Sequence, residues 1–395
     1  MPASFLHGVE VIEIDAGPRP IQTVKSSVIG IVGTAPDADA QAFPLDTPVL
    51  VAGSRKEAAG LDTVGTGNGT LPAALDGIFD QIGAVVIVVR VEEGADETET
   101  IANVVGGVNA GDGNLEGVHA LVGAESVVGY SPRVLIAPGF THQRPGELAN
   151  PVVAELQGIA DRLRAVIVAD GPNTTDAAAY TAAGDFGSDR IYMVDPWHKV
   201  MVGETVVDQP PSARVAGLIA KVDNETGFWA SPSNHLISGI IGTSRPVDFK
   251  LGDATSRANL LNENKVATTI RQNGYRLWGN RSLTADTKWV FLSVRRTADI
   301  INDSLLRAHL WAVDRGITKT YVEDVEEGVN AYLRDLVAMG AILGGKCWAD
   351  PDLNSAANIQ LGKVFFNFDF TPIYPAEHIT FQSHLVNDYI QEVFN

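Results

Sequence analysis

Between about residues 27 and 240 the chain alternates short continuous apolar runs with longer stretches in which apolar positions recur at helical spacing. Ser27-Val28-Ile29-Gly30-Ile31-Val32, Val49-Leu50-Val51 and Ala84-Val85-Val86-Ile87-Val88-Val89 read as buried strands, with a helix over Leu71 to Ile82 before the third. Val134-Leu135-Ile136-Ala137 precedes an amphipathic stretch from Val152 to Arg164. Val166-Ile167-Val168-Ala169 precedes Thr175 to Ala183, and Ile191-Tyr192-Met193-Val194 precedes Ser212 to Val222. Strands that are apolar throughout and alternate with helices predict a parallel sheet covered on both faces. Glu92 to Gly113 is polar, acidic and rich in glycine, which predicts a flexible excursion.

After about residue 250 the pattern changes. A helix is expected from Ser256 to Val266, then strands around Thr268–Ile270 and Tyr275–Trp278. Two long helices follow, over Val294 to Asp314 and Val322 to Met339. From Val364 to Phe370 the chain alternates, with Val364, Phe366, Phe368 and Phe370 on one face and Phe365, Asn367 and Asp369 on the other. That is a half-buried strand, ended by Pro372 and Pro375. Ile379 to Val386 is a further extended candidate, and Val9 to Ile14 another, cut off from the body by Gly17-Pro18-Arg19-Pro20. The fold class expected is α/β plus α+β with an extended arm at each end. Residues 1–24 form an N-terminal arm and linker, 25–250 the α/β region, 251–374 an α+β domain and 375–395 a C-terminal arm. Two strand-forming ends set off by prolines can complete a sheet in a neighbour by adding to its open edge. Pairing of both ends within their own chain is the alternative.

Length and composition fit this division. A chain of 395 residues exceeds one compact core, and 45% hydrophobic content supplies material for two or three. The longest apolar run, Ala84 to Val89, stops at Arg90, far short of the roughly 18 residues of a membrane span. MPASFLHGVE has neither a basic nor an apolar leader segment, so no secretory signal is expected. The single cysteine, Cys347, excludes an intrachain disulfide and a cysteine zinc site, and it is expected to be half-buried beside Trp348. The formal net charge of −19 repels polyphosphate, and the densest basic spot is only Arg295-Arg296, so no nucleic-acid or membrane partner is expected.

Catalytic patterns are missing from the chain. GTGNGT at Gly65 to Thr70 has the wrong spacing for a dinucleotide loop and follows no strand directly. Neither a GxSxG elbow nor an HExxH pair occurs, and the eight histidines are scattered. Ser188-Asp189, and Asp195 with His198, lie near strand ends where α/β sites often sit, yet no nucleophile, base and orienter can be lined up from them. No catalytic residue, metal or cofactor is therefore expected. Arg295, Arg296, Asp299, Asp303 and His309 are dense enough to raise the question again. Their spacing at i+3 and i+4 on a helix with a wide apolar stripe makes them framework, with the arginines as partners for carboxylates. Trp278 and Trp311 read as packing anchors.

Two long motifs resemble a known family. LNENKVATTIRQNGYRLWGNRSL (261–283) and VRRTADIINDSLLRAHLWAVDRGIT (294–318) are similar to the tail sheath proteins of contractile-tailed bacteriophages, the family that includes R-type pyocin sheaths. HGVEVIEIDAGPRPI, SSVIGIVGTAPDAD, FPLDTPVLV, AESVVGYSPRVLIAPG and GKVFFNFDFTPIYPAEHITF extend the likeness over nearly the whole chain. The resemblance implies a structural protein of the virion tail, made in the host cytoplasm. Its copies stack as hexameric rings around a rigid tube, and contraction on a baseplate signal drives that tube through the host envelope. A tail terminator protein is a further implied partner. The middle region would be subtilisin-like in fold only, without a triad.

Carried over, the inter-subunit arm strands are Val9, Val11, Ile12 and Ile14 at one end and Ile379, Phe381 and Leu385 at the other. The acceptor sheet would use the edge at Phe366, Phe368 and Phe370. The helix after Thr320 would face the tube with Glu323, Asp324, Glu326, Glu327, Arg334 and Asp335, against a mostly basic strip; a merely solvated acidic face is the alternative. The competing functional readings are an α/β hydrolase-like enzyme with an unrecognised site, and a soluble binding module using its acidic surface.

Overall fold

The apolar runs assemble side by side. The computed structural model describes residues 20–387 and 389–390, so the arm strand expected at Val9 to Ile14 lies outside the described residues. Its principal strands are β1 (Ile29–Thr34), β2 (Val49–Ala52), β3 (Val85–Val91), β4 (Val134–Ile136), β5 (Val166–Asp170), β6 (Ile191–Val194), β7 (His198–Val202), β8 (Thr205–Gln209), β9 (Val266–Arg271), β10 (Tyr275–Trp278), β11 (Ile342–Ala349) and β12 (Phe366–Pro372). One sheet of eight runs β10-β9-β6-β5-β4-β1-β3-β2. Its six central strands are parallel, and the edges β2 and β10 are antiparallel.

Successive side chains on these strands point to opposite faces, and both faces are covered. Ile29, Ile31, Val86, Val88, Val134 and Ile136 pack under helices α1 (Leu71–Phe79) and α5 (Ser212–Glu225). Val32, Ile87, Val89, Leu135 and Ile167 pack under α2 (Glu97–Val105), α3 (Pro151–Leu163) and α4 (Asp176–Gly184). Two apolar layers against one sheet explain why these strands read as continuous hydrophobic runs.

Three expectations are corrected. Strands β9 and β10, placed by sequence in the unit after residue 251, belong to the large sheet: Val266 pairs with Met193 and Ala267 with Val194, in parallel. The helix α6 (Arg257–Glu263) completes the crossover that brings β9 alongside β6, whose edge would otherwise be open. Glu92 to Gly113 is no flexible excursion, because it holds α2 and a short ladder of Gly107–Val108 against Leu115–Glu116. Asp96 caps α2 by accepting from the Glu99 amide at 2.9 Å, while the Glu99 carboxylate accepts from Ala95 N at 2.7 Å. Two acidic residues thus organise the segment, and Thr100 and Val104 are buried beneath it. Cys347, expected half-buried, is fully enclosed, and its backbone exchanges two hydrogen bonds with the Asn330 amide.

The sequence reading also passes over the hairpin β7–β8, which is extended by Gly242–Thr243 into a three-stranded sheet.

A smaller lobe is built on α7 (Leu292–Ala308), α8 (Lys319–Ala338), β11 and β12. β11 and β12 form an antiparallel two-stranded sheet of their own. Phe366, Phe368 and Phe370 turn toward a core of Ile300, Ile301, Val329, Tyr332, Leu333, Leu336 and Ile342. Thr318 caps α8 through the Tyr321 amide, so that helix starts three residues before its first apolar position, Val322. At the other end α7 stops at Ala308 and gives way to a tight turn over Leu310–Ala312, short of the expected Asp314. Among the described residues no helix is long and apolar enough to cross a membrane.

Candidate functional site

The glycine loop at Gly65 to Thr70 carries its own anion. Asp62 accepts from the backbone amides of Gly65 (2.8 Å), Thr66 (3.1 Å) and Gly67 (2.8 Å), and these bonds hold its carboxyl below the ordinary range. Amides that would cradle a phosphate are already occupied. Asp37 ties down the rest of the loop through Thr66 and Asn68.

The other catalytic candidates are equally committed. The Ser188 hydroxyl accepts from the Arg190 amide at 3.2 Å, and Asp189 pairs with Arg295 at 3.3 Å. Asp195 is buried against the Arg245 guanidinium and accepts from Asn173 N at 2.8 Å. His198 lies in β7 with Nε2 2.8 Å from Thr269 Oγ1, and burial, helped by the Arg214 charge, pushes its pKa down to about 3. His309 directs Nδ1 at the Leu305 carbonyl oxygen, 2.7 Å away.

Sequence reasoning missed one buried polar group. Asp170, at the C-terminal end of β5, accepts from Ser212 N (2.8 Å), Ser212 Oγ (2.9 Å) and Thr141 Oγ1 (3.1 Å). Burial pushes its carboxyl up to about 6. Both Asp170 and Ser212 are wholly enclosed, and the carboxylate's bonds to Ser212 anchor the start of α5. Among the described residues no group of three potential metal ligands comes together.

The dense charges of the 295–309 region have a mechanical arrangement instead. One side of α7 is riveted to the α/β body. Arg296 holds Asp223 through Nη1–Oδ1 at 2.8 Å, with both side chains almost fully buried. Asp299 receives Arg190 at 3.1 Å and Arg295 at 2.9 Å. Asp303 pairs with the buried Arg133 and with Arg307 at 2.7 Å, and Arg307 also reaches Glu125 at 2.8 Å. Arg295–Asp299 is an i+4 pair within the helix, whereas the sequence reading sets Arg296 beside Asp299 at i+3. Arg296, by contrast, takes a partner 73 positions away in sequence instead of Asp299. Ile301 and Leu305, on the opposite side of α7, and Ile300, one turn from Arg296, enter the core of the lobe. A rigid helix therefore joins the two parts, ionic on one side and apolar on the other.

The remaining predicted site residues are all in the lobe or beyond it. On α8, Glu323, Asp324, Glu327, Arg334 and Asp335 are exposed and Glu326 is half-buried. Lys319 sits 3.6 Å from Glu323, and Arg334 pairs with Glu327. Past Pro372 the chain forms no strand through Asn387, so Ile379 to Val386, expected to be extended, has no ladder partner among the described residues. Ile379, Phe381 and Leu385 are 67%, 92% and 98% exposed. Val9, Val11, Ile12 and Ile14 are outside the described residues.

Comparison with known proteins gives consistent matches. The model for the phage tail sheath protein central domain matches residues 113–283, and that for the phage tail sheath C-terminal domain matches residues 284–385. A third, for the N-terminal region of tail sheath protein Gp18 domain III, matches residues 26–91. The chain is 45% identical to a putative prophage major tail sheath protein of Pseudomonas aeruginosa strain UCBPP-PA14, over 99% of each chain. It is 35% identical to the tail sheath protein of Escherichia phage P2, over 98% of this chain and 97% of that one. In fold it is similar to the helical sheath of the anti-feeding prophage in the contracted state, with a TM-score of 0.72 at 18% identity over 98% of this chain and all of that one. The sheath of an extracellular contractile injection system, also contracted, gives a TM-score of 0.70 at 18% identity over 99% of this chain and all of that one.

Proposed function

The chain belongs to the phage tail sheath protein family, and from that premise we propose how its residues serve assembly and contraction. It is a structural tail sheath subunit and not an enzyme; its copies polymerise around the tail tube and contract to drive the tube through the host envelope. One observation carries the reading of how copies join. The chain ends in a tail with Phe381 and Leu385 almost wholly exposed, in a molecule that also holds an isolated two-stranded sheet. The sheet rests on α7 and α8, yet among the described residues the outer edges of its two strands have no ladder partner and offer backbone groups for pairing. A tail strand from a neighbouring copy would pair with such an edge at Phe366 to Phe370 and bury its own apolar residues there.

In this reading Val9, Val11, Ile12 and Ile14 act from one end of the chain and Ile379, Phe381 and Leu385 from the other, stitching hexameric rings into a helical polymer. Backbone pairing is directional and tolerates rigid-body rotation of the bodies it joins, because proline- and glycine-containing linkers absorb the movement. Contraction then exchanges one set of contacts between bodies for a more favourable one, with the free energy stored at assembly. The α/β region, subtilisin-like in fold but without a triad, would lie outward and the lobe inward. The domain limits follow, with β9 and β10 counted in the α/β region. The acidic side of α8 (Glu323, Asp324, Glu326, Glu327, Asp335, with Arg334) would face a basic strip on the tube protein. Such exposed pairs are individually weak, which suits contacts that must break. Baseplate and terminator proteins would meet the two ends of the polymer.

The test is removal of residues 1–20 or of residues 379–395, followed by negative-stain microscopy. Soluble subunits without tubes are expected from each. Full-length tubes from either truncated chain would falsify the stitching scheme at that end.

A further inference from the structure

Beyond Pro372 the chain does not leave the molecule at once. It turns back to the α/β body, where Tyr374 meets Phe291 edge-on with ring centroids 6.2 Å apart. Three residues later the Glu377 carboxylate accepts from two nitrogens of Arg281, Nε to Oε1 at 2.7 Å and Nη2 to Oε2. Arg281 in turn lies over the Phe291 ring, 5.9 Å from its centroid, and the two residues form a backbone bridge. Their loop is rigid: Ser282 N donates to Val290 O at 2.7 Å, Leu292 N to Asn280 O at 3.0 Å, and the loop runs straight into α7. Past Glu377 the apolar residues of the tail are free, and Ile379, Phe381 and Leu385 are the most exposed of them near the turn-off.

We propose that Arg281, Phe291, Tyr374 and Glu377 form a releasable clasp that sets the direction in which the C-terminal arm leaves the subunit. The proposal rests on the reading of that tail as an assembly arm. A bidentate guanidinium–carboxylate pair fixes orientation as well as distance, so it aims the segment that follows. Its side chains are 39% and 35% exposed, so water and salt compete for it and it can open when bodies rotate. The clasp also links the arm's root to α7, which the ion pairs fix to the body, so a turn of the body carries the root of the arm with it. The sequence marks Arg281 inside one of its two long motifs, but its partner lies 96 positions further on.

The test uses the full-length chain with spin labels at S383C and E225C for distances on unassembled subunits, and the same clasp variants without labels for tube yield. The native clasp is expected to give one narrow distance distribution. Arg281→Glu or Glu377→Arg alone should broaden it several-fold and lower the yield of tubes, and the double exchange R281E/E377R should restore both. Equal widths in all four proteins would overturn the clasp, as would single variants that assemble like the native chain despite a broadened distribution. Tubes that persist without residues 379–395 would overturn the arm reading itself, and the proposal with it, whatever the distances show.

Discussion

Arg296 and Asp223 are the buried ion pair on which the joint between body and lobe turns, with side chains 4% and 2% exposed. Removing one partner strands a charge in a low-dielectric site, at a cost of about 3–5 kcal/mol. Asp223→Ala should therefore lower the urea stability of the unassembled subunit by that order, and R296M/D223L should recover most of the loss. An unchanged midpoint in the single variant would show that solvent reaches the pair. Two other buried groups contribute to the pH response in opposite senses. His198 has a folded pKa near 3, below its unfolded value, so it contributes stability above pH 6.5 that is lost as pH falls toward 3. Asp170 has a folded pKa of about 6, above its unfolded value, so it adds stability as pH falls through 6 toward 4. The two partly cancel. Urea midpoints measured from pH 8 to 4 should fall more steeply in Asp170→Asn and less steeply in His198→Gln than in the native chain. Residue types in the 295–309 motif showed that its arginines want carboxylates, but Asp223, Arg190 and Arg133 are brought to α7 by tertiary folding, so no spacing rule could name them.

At the scale of elements, the strands legible in the sequence are those with a local reason to exist. β1, β3, β4, β5 and β6 are buried on both faces and read as uninterrupted apolar runs. β11 does not, because Ile342-Leu343-Gly344-Gly345-Lys346-Cys347-Trp348-Ala349 is broken by two glycines and a lysine. It forms because its neighbours impose it. A Cβ at Gly345 would lie 2.7 Å from the Asp369 carbonyl oxygen and near Leu333, so the missing side chain is what lets β12 and α8 close on it. Likewise β9 was recognisable as a strand but not as a member of the large sheet, since its partner β6 lies some 70 residues earlier. The lobe built this way has a small core, and its stability should separate from that of the body. Leu336, fully buried between α8 and the two-stranded sheet, is a direct probe. Leu336→Ala should cost about 2–5 kcal/mol as a large-to-small core change. Amide exchange should quicken across α8, β11 and β12 while β1, β3 and β4 keep their protection. Uniform loss of protection in both regions would mean that the ion pairs of α7 merge lobe and body into one cooperative unit.

For the molecule as a whole, the sequence supplied the sheath family and the expectation that the chain ends act elsewhere, but not the joint or the clasp, which depend on contacts spanning 73 to 182 positions. It also supplied the charge, and charge sets how copies meet. Each subunit carries a formal −19, so approaching copies repel at long range. The Debye length shrinks from roughly 30 Å at 0.01 M salt to about 10 Å at 0.1 M, which removes most of that repulsion before any contact forms. In the proposed scheme, backbone pairing of the arms and burial of Phe381 and Leu385 would act only at contact and be little affected by salt. Self-association followed by light scattering should therefore accelerate as salt rises over this range, until screening is complete. If the acidic side of α8 meets a basic strip on the tube as proposed, that binding should weaken over the same range, because it would draw on attraction between opposite charges. Glu323→Lys with Glu327→Lys should leave tube-free polymers intact and reduce co-sedimentation with tube protein. Polymerisation that slowed with added salt would place attractive ion pairs, and not strands, at the contacts between copies.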